Sequence, residues 1–340
     1  MRQTLLPDEL RTLVTQRYGL TLGEAKRLEG GDECLIWQVT ANEGDVVVRL
    51  SPPWRSPERL TWTHRVTLAL HEMLPQVVTP ILALDGETLF RYQQQSVALF
   101  PYITGTQLDR DNSAHRQEAA HLLAHLHRAL LNCAPMSATL ERERLLGAPP
   151  LFPTPDPAEL VDPELDAWHA SLSGRYKRLT IGLIHGDYYR RNLLTRGKQL
   201  VGLLDWDDLH TDYLMQEVAW STWELCHKPM GDDWYPEHVQ DFVRCYREAG
   251  GPCQEEEYSH FIPFIRWRLR EEMRRHYAAV ARGLPGEPEY AAIALPGNIF
   301  SVLGRIFTQR KNMAIIGLVL SFVSLLLVIG NILDYLATLH

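Results

Sequence analysis

The spacing of apolar residues changes character twice along this chain. Residues 7–18 place Leu10, Leu13 and Val14 on one side of a short amphipathic helix. From Lys26 to Phe100 the apolar residues fall instead into short β-type blocks bounded by turn residues. The blocks are 35–39 behind Gly30 and Gly31, 45–50 behind Asn42-Glu43-Gly44, 77–84 and 88–92 on either side of Asp85-Gly86, and 96–100 before Pro101. One helix interrupts them. Ser56 as N-cap, Pro57 at the first helical position and Glu58 in the first turn open it, and Trp62, Val66, Ala69 and Met73 form its buried stripe. Residues 20–100 therefore predict a five-stranded antiparallel sheet carrying one helix.

From Ser113 the period is helical, with Ala120, Leu123, Leu126, Ala129 and Leu130 on one face. Residues 147–163 are rich in proline and predict an irregular loop, while 163–176, 213–227 and 261–282 predict further helices. The last change is abrupt. Residues 313–333 are apolar except for Ser321, Ser324 and Asn331, and Arg305, Arg310 and Lys311 precede them. A bilayer core about 30 Å thick needs about 20 such residues in a helix. The basic flank predicts that the remainder stays cytoplasmic. The expectation is a C-terminal apolar helix, a transmembrane tail within 312–340, that anchors the chain to a membrane through residues 313–333.

Composition changes this picture little. With 340 residues, 45% of them hydrophobic and 22% charged, the chain has material for a bilobal globular enzyme. A net charge of −8 and the absence of any basic run argue against a nucleic-acid partner. The five cysteines form no C-x-x-C pair and read as reduced thiols of a cytoplasmic domain. His121 and His125 stand one helical turn apart without a third ligand, and His127 reads as a packing residue.

The chemistry lies in residues 183–208, LIHGDYYRRNLLTRGKQLVGLLDWDD. Two acidic clusters each follow an apolar run. Phosphoryl transfer needs a base for the acceptor hydroxyl and oxygen ligands for Mg²⁺, all facing one small space from rigid supports. The H-x-D-x-x-x-x-N loop offers Asp187 as base and Asn192 as metal ligand from one tight turn. A strand ending in Asp205 returns a second metal ligand to the same place. This is the order of the protein-kinase motifs, with H-G-D and D-W-D in place of H-R-D and D-F-G.

With those residues in place, the chain resembles the aminoglycoside phosphotransferase and choline kinase-like family, small-molecule relatives of the protein kinases. The resemblance implies an α+β, bilobal protein-kinase-like fold. Residues 1–100 would form an antiparallel β N-lobe that binds nucleotide, and 101–311 a mostly helical C-lobe for catalysis and acceptor binding. It also implies ATP and Mg as cofactors and a small-molecule hydroxyl acceptor as partner. In that frame His185 holds Asp187 in place, and Asp207 is a further metal ligand or an acceptor contact. Arg49 grips the ATP phosphates where the family usually carries lysine. Gly30 and Gly31 match the nucleotide-covering loop, and Phe100 and Tyr102 belong to the hinge that meets adenine. Glu217 either braces the catalytic loop or is exposed. The helix acid that pairs with the strand cation has no counterpart, because Thr63 stands at its place, with Glu58 too early and Glu72 too late.

The expected function is an ATP-dependent phosphotransferase acting on a small-molecule hydroxyl. A catalytically silent nucleotide-binding scaffold is the alternative, favoured by Arg49 and the missing helix acid. A Ser/Thr protein kinase is weaker, since no A-P-E phrase follows Asp205. Trp206, Trp220, Trp223, Trp234, Tyr235 and Trp267 offer faces on which a cationic acceptor could stack.

Overall fold

Helix α1 (Asp8–Tyr18) forms where the apolar stripe places it, burying Leu10, Val14 and Tyr18 and ending at Gly19 in the left-handed conformation. The computed structural model of the chain describes residues 5–28, 34–133, 160–172, 179–226 and 235–281. Behind α1 stands an antiparallel sheet of β1 (Leu22–Arg27), β2 (Leu35–Ala41), β3 (Val46–Leu50), β4 (Phe90–Tyr92) and β5 (Gln95–Pro101), in the order β1-β2-β3-β5-β4. Alternation along β3 sends Val46, Val48 and Leu50 into the core. There they join Trp37, Val39, Val97 and Leu99, and α1 covers them with Leu10 and Val14.

The sheet has five strands, but not all of those the sequence suggested. Residues 77–84 stay outside it. Pro80 has no N–H to give a ladder, and the neighbouring backbone bonds elsewhere. Val78 N–H donates to Leu203 O at 3.2 Å and Ile81 N–H to Leu99 O at 2.8 Å. Val77 forms a parallel bridge with Leu203. Asp85-Gly86 still turns the chain, with Gly86 N–H on Ala83 O at 2.8 Å. The fifth strand is β1, whose mostly exposed and half-buried residues give only a weak apolar signal.

Helix α2 (Pro57–His71) starts as its capping residues dictate, with Ser56 Oγ accepting the Arg59 N–H at 3.2 Å. Trp62 and Val66 are buried as expected. Met73 is not: it lies beyond the last turn and is 51% exposed. The buried face also includes Leu60, Thr63, His64, Thr67 and Leu70.

The chain divides into two compact units, Met1–Arg142 with Gly182–Thr211, and Glu143–Ile181 with Asp212–His340. The first contains the sheet, α1, α2 and α3 (Ser113–Asn132), together with a second sheet of three antiparallel strands, β6 (Thr106–Gln107), β8 (Leu193–Arg196) and β9 (Gln199–Leu203), in the order β6-β8-β9. Strand β7 (Ile181–Ile184) pairs with β10 (His210–Tyr213). The second unit is helical, with α4 (Pro163–Leu172), α5 (Leu214–Cys226), α6 (Pro236–Glu248) and α7 (Phe261–Ala281). Helix α5 packs on α6 and α7, and α7 is tied to α4 by the ion pair Arg270–Asp166 at 2.7 Å. Glu217 is buried on α5, so the exposed alternative for it falls away. Of the proline-rich loop expected at 147–163, residues 147–159 lie outside the described residues.

The membrane expectation is corrected here. Among the described residues no helix is long and apolar enough to cross a membrane. The longest, α7, carries Arg266, Arg268, Arg270, Glu271, Glu272 and Arg274 along its length, which a hydrocarbon core does not accept. Residues 313–333 lie outside the described residues, and no membrane attachment is carried forward.

Candidate active site

The apolar strand β7 delivers the chain into a tight turn at Gly186, whose φ is +83°. A Cβ there would lie 2.3 Å from Asp208 O, so only glycine fits. His185 is fully buried on one side of this turn. Its Nδ1 accepts the Asp187 N–H at 3.2 Å, which leaves the ring proton on Nε2 to donate to Leu204 O at 2.9 Å. One imidazole thus ties the loop bearing Asp187 to the strand end bearing Asp205. Trp206 packs against the same ring, with centroids 4.6 Å apart, and is itself buried. That makes Trp206 a core residue rather than an acceptor platform.

A single 3-10 turn, Arg190–Asn192, closes the loop. Asn192 is buried, and its amide NH₂ donates to Asp187 Oδ2 at 2.8 Å and to Asp187 O at 2.9 Å. The carboxylate of the half-buried Asp187 is thereby fixed, and Asn192 Oδ1 remains as an oxygen donor. Tyr188, fully buried, anchors the loop on α3 through its hydroxyl to Ala119 O at 2.8 Å.

The β8–β9 hairpin then returns the second acidic cluster. Its register pairs Leu193 with Leu203, so the residues just outside that pair, Asn192 and Leu204, are joined by Leu204 N–H to Asn192 O at 2.8 Å. Asp205 follows with φ +53°, a backbone conformation that few non-glycine residues adopt, and its side chain is 46% exposed. Strain of this kind concentrates at functional sites.

Arg49 reaches this strand end from β3. Its guanidinium is bidentate on Asp207, Nη1 to Oδ1 at 2.9 Å and Nη2 to Oδ2, and Nη2 also lies 3.4 Å from Asp205 Oδ1 and 3.3 Å from Cys34 Sγ. Arg55 adds Nη1 on Asp207 Oδ2 at 3.0 Å. Burial works against the Arg49 charge, but Asp207 and Asp205 outweigh it and hold the guanidinium well above its ordinary range. Burial likewise pushes the Asp207 carboxyl up, and the charge and hydrogen bonds of Arg49 bring it below the ordinary value. Asp205 is pushed up, first by desolvation and further by the Asp207 charge, against the pull of Arg49.

The first unit therefore holds Arg49, His185, Asp187, Asn192 and Asp205 on two connected loops and one strand. Phe100 sets its ring edge-on against His64, with centroids 5.7 Å apart. The Tyr102 N–H donates to Asp45 O at 3.0 Å. Any adenine contact there must use another backbone group. Gly30 and Gly31 lie outside the described residues. The sequence did not single out Arg55 or His64, nor Asp207 as the partner of Arg49. The only local signal was the second aspartate of D-W-D.

Among the described residues no group of three His, Cys, Asp or Glu side chains could hold a metal by itself. Among the expected ligands, Asp205 offers a carboxylate and Asn192 an amide oxygen. They suit Mg²⁺, which is bound through one or two carboxylates together with substrate phosphates.

Residues 24–251 match the phosphotransferase enzyme family. The chain belongs to that family. It is a small-molecule kinase in fold and kinship. Homoserine kinase from Pseudomonas aeruginosa is 28% identical over 239 residues, covering 66% of this chain and 73% of that protein. The structure of amicoumacin kinase hAmiN in complex with AMP-PNP, Ca²⁺ and Ami superposes with a TM-score of 0.65 at 14% identity, over 90% of this chain and 94% of that one. A microcompartment-associated aminopropanol kinase superposes at 0.62 and 15% identity, over 92% and 99%. At these identities the structural likeness carries the kinase-like mixed α/β fold.

Proposed function

We propose that this phosphotransferase moves the γ-phosphoryl group of ATP to a hydroxyl of a small amino-bearing alcohol. Asp187 accepts the proton of that hydroxyl as it attacks phosphorus, and Asn192 positions it by one hydrogen bond to its carboxylate and one to its backbone carbonyl. His185 keeps the loop and the strand end in fixed relation. Asn192 Oδ1 and the Asp205 carboxylate would hold Mg²⁺, which would neutralise charge on the phosphates. Arg49, whose planar fork suits phosphate oxygens, grips the nucleotide. The observation that carries this reading is the hydrogen bond of Asn192 to Asp187 at 2.8 Å, next to a strand end that presents Asp205.

The scaffold alternative is favoured by Arg49 in place of lysine and by the missing helix acid; the pairing of Arg49 with Asp207 weighs against the second of these. The acceptor class rests on the relatives, one a homoserine kinase and another an aminopropanol kinase. Incubation with Mg·ATP and a panel of amino alcohols, homoserine first, beside hydroxyl compounds without an amino group, with ADP release and product mass as readouts, tests it. Product from an amino alcohol is the expected result. Phosphorylation confined to compounds without an amino group would remove the acceptor class, and no product with any hydroxyl compound would remove the reaction.

A further inference from the structure

We infer that Asp207 is the positioning residue that holds Arg49 for the phosphates, and that Arg55 shares its carboxylate as a second cation of the same clamp. This rests on the reading of Arg49 as the phosphate-gripping residue. In kinase-type sites the strand cation is held by an acid of the helix that follows it. Helix α2 cannot supply one. Its only acid, Glu58, is exposed in the first turn and bonded to Ser56 Oγ at 2.6 Å. The face that α2 buries carries Thr63, His64 and Thr67 instead.

The acid comes from the strand end. Asp207 Oδ1 accepts from Arg49, and Oδ2 accepts from both Arg49 and Arg55. Its side chain is only 9% exposed. Two guanidinium groups thus take three of the roughly four acceptor positions of this carboxylate, which leaves little of it for a metal ion. Asp205, two residues earlier, is the opposite case: exposed, left-handed, and touched by Arg49 only at 3.4 Å. The two carboxylates of D-W-D thus divide the work, the exposed one for the metal and the buried one for the arginines. A second contact strengthens the argument. Arg59, four residues after Arg55, bonds Leu209 O, so the entry to α2 is stitched twice to residues 207–209. The residues just before and inside the first turn of α2 therefore hold the strand end that supplies the acid α2 lacks.

The test is nucleotide affinity of the full chain measured with and without divalent metal, with adenosine as a probe that lacks phosphates. Asp207→Asn is expected to weaken ATP binding about tenfold in the absence of metal. Adenosine affinity and the Mg²⁺ concentration for half-maximal activity should stay unchanged. Asp205→Asn should do the reverse, sparing metal-free ATP and raising the Mg²⁺ requirement. Arg55→Gln should weaken metal-free ATP by a few-fold. If Asp207→Asn leaves metal-free ATP affinity intact and raises the Mg²⁺ requirement, Asp207 is a metal ligand and the inference is overturned. If Arg55→Gln leaves metal-free ATP affinity unchanged, the second-cation assignment is overturned. If Arg49→Ala leaves metal-free ATP affinity intact, the underlying reading of Arg49 falls with it, which separates the two failures. Should Asp207→Asn not fold, Asp207→Glu keeps the charge and moves it by one methylene. Triphosphate affinity must then fall while adenosine affinity holds, and unchanged triphosphate affinity overturns the inference.

Discussion

The Asp187 loop and the acid–arginine cluster lie in one unit and are built on opposite principles. The loop is local. His185, Asp187 and Asn192 fall within eight residues and satisfy one another, so the spacing alone prescribes the turn. The cluster is assembled from a distance: Arg49 and Arg55 come from either side of a turn before α2, and Asp207 follows the β8–β9 hairpin, 158 residues beyond Arg49. A local device fails when its geometry is disturbed. An assembled one fails when charge is disturbed, because a buried guanidinium left without its carboxylate is costly.

This contrast can be broken or sharpened by experiment, beginning with the largest effect. Asp187→Asn should lower kcat about 10²–10⁴-fold and leave Mg·ATP binding within a few-fold. Steady-state kinetics with parallel nucleotide titration checks it, and near-normal turnover would take the base role from Asp187. Gly186→Ala comes next. The added methyl would meet Asp208 O at 2.3 Å on a left-handed backbone, and we expect a loss of roughly 3–4 kcal/mol in urea unfolding. An unfolding midpoint equal to that of the native chain would mean the loop is not geometrically constrained.

The third prediction belongs to the cluster. Burial, with the nearby Arg49 charge, lowers the His64 pKa to about 4. The unfolded chain therefore binds a proton near pH 6.5 that the folded chain refuses until about pH 4. Stability from this residue is complete above the unfolded value and is lost as pH falls through that window, by up to about 3 kcal/mol. His64→Leu should flatten the stability profile between pH 7 and pH 4.5, and an unaltered slope would refute the assignment. The smallest effect is at the cap. Ser56→Ala should cost about 1 kcal/mol in unfolding free energy. It should also weaken nucleotide binding slightly, because the turn that delivers Arg55 loosens.

The same contrast explains what the sequence could reveal. The turn at 185–192, the hairpin behind it, α1 and the start of α2 are legible, because each depends on neighbours a few residues apart. The failures are long-range. Residues 77–84 look like a strand, but Pro80 and the edge of β9 take that segment out of the sheet. Leu22–Arg27 carries too weak an apolar signal to predict a strand, and β2 completes it through pairs such as Arg27 with Trp37. Met73 follows the helical period of α2 beyond the point where α2 stops. The acid partner of Arg49 was sought on α2, where kinship placed it, and no spacing rule connects residue 49 with residue 207.

Asp205 carries a last consequence. A left-handed backbone at a residue with a side chain costs about 1 kcal/mol or more, and its carboxyl lies two residues from another acid. Both burdens lift if glycine or asparagine takes the position. A laboratory lineage selected only to survive heat, with no demand for turnover, should therefore acquire one of them at 205 early. A lineage selected for turnover should keep aspartate and gain its heat tolerance elsewhere.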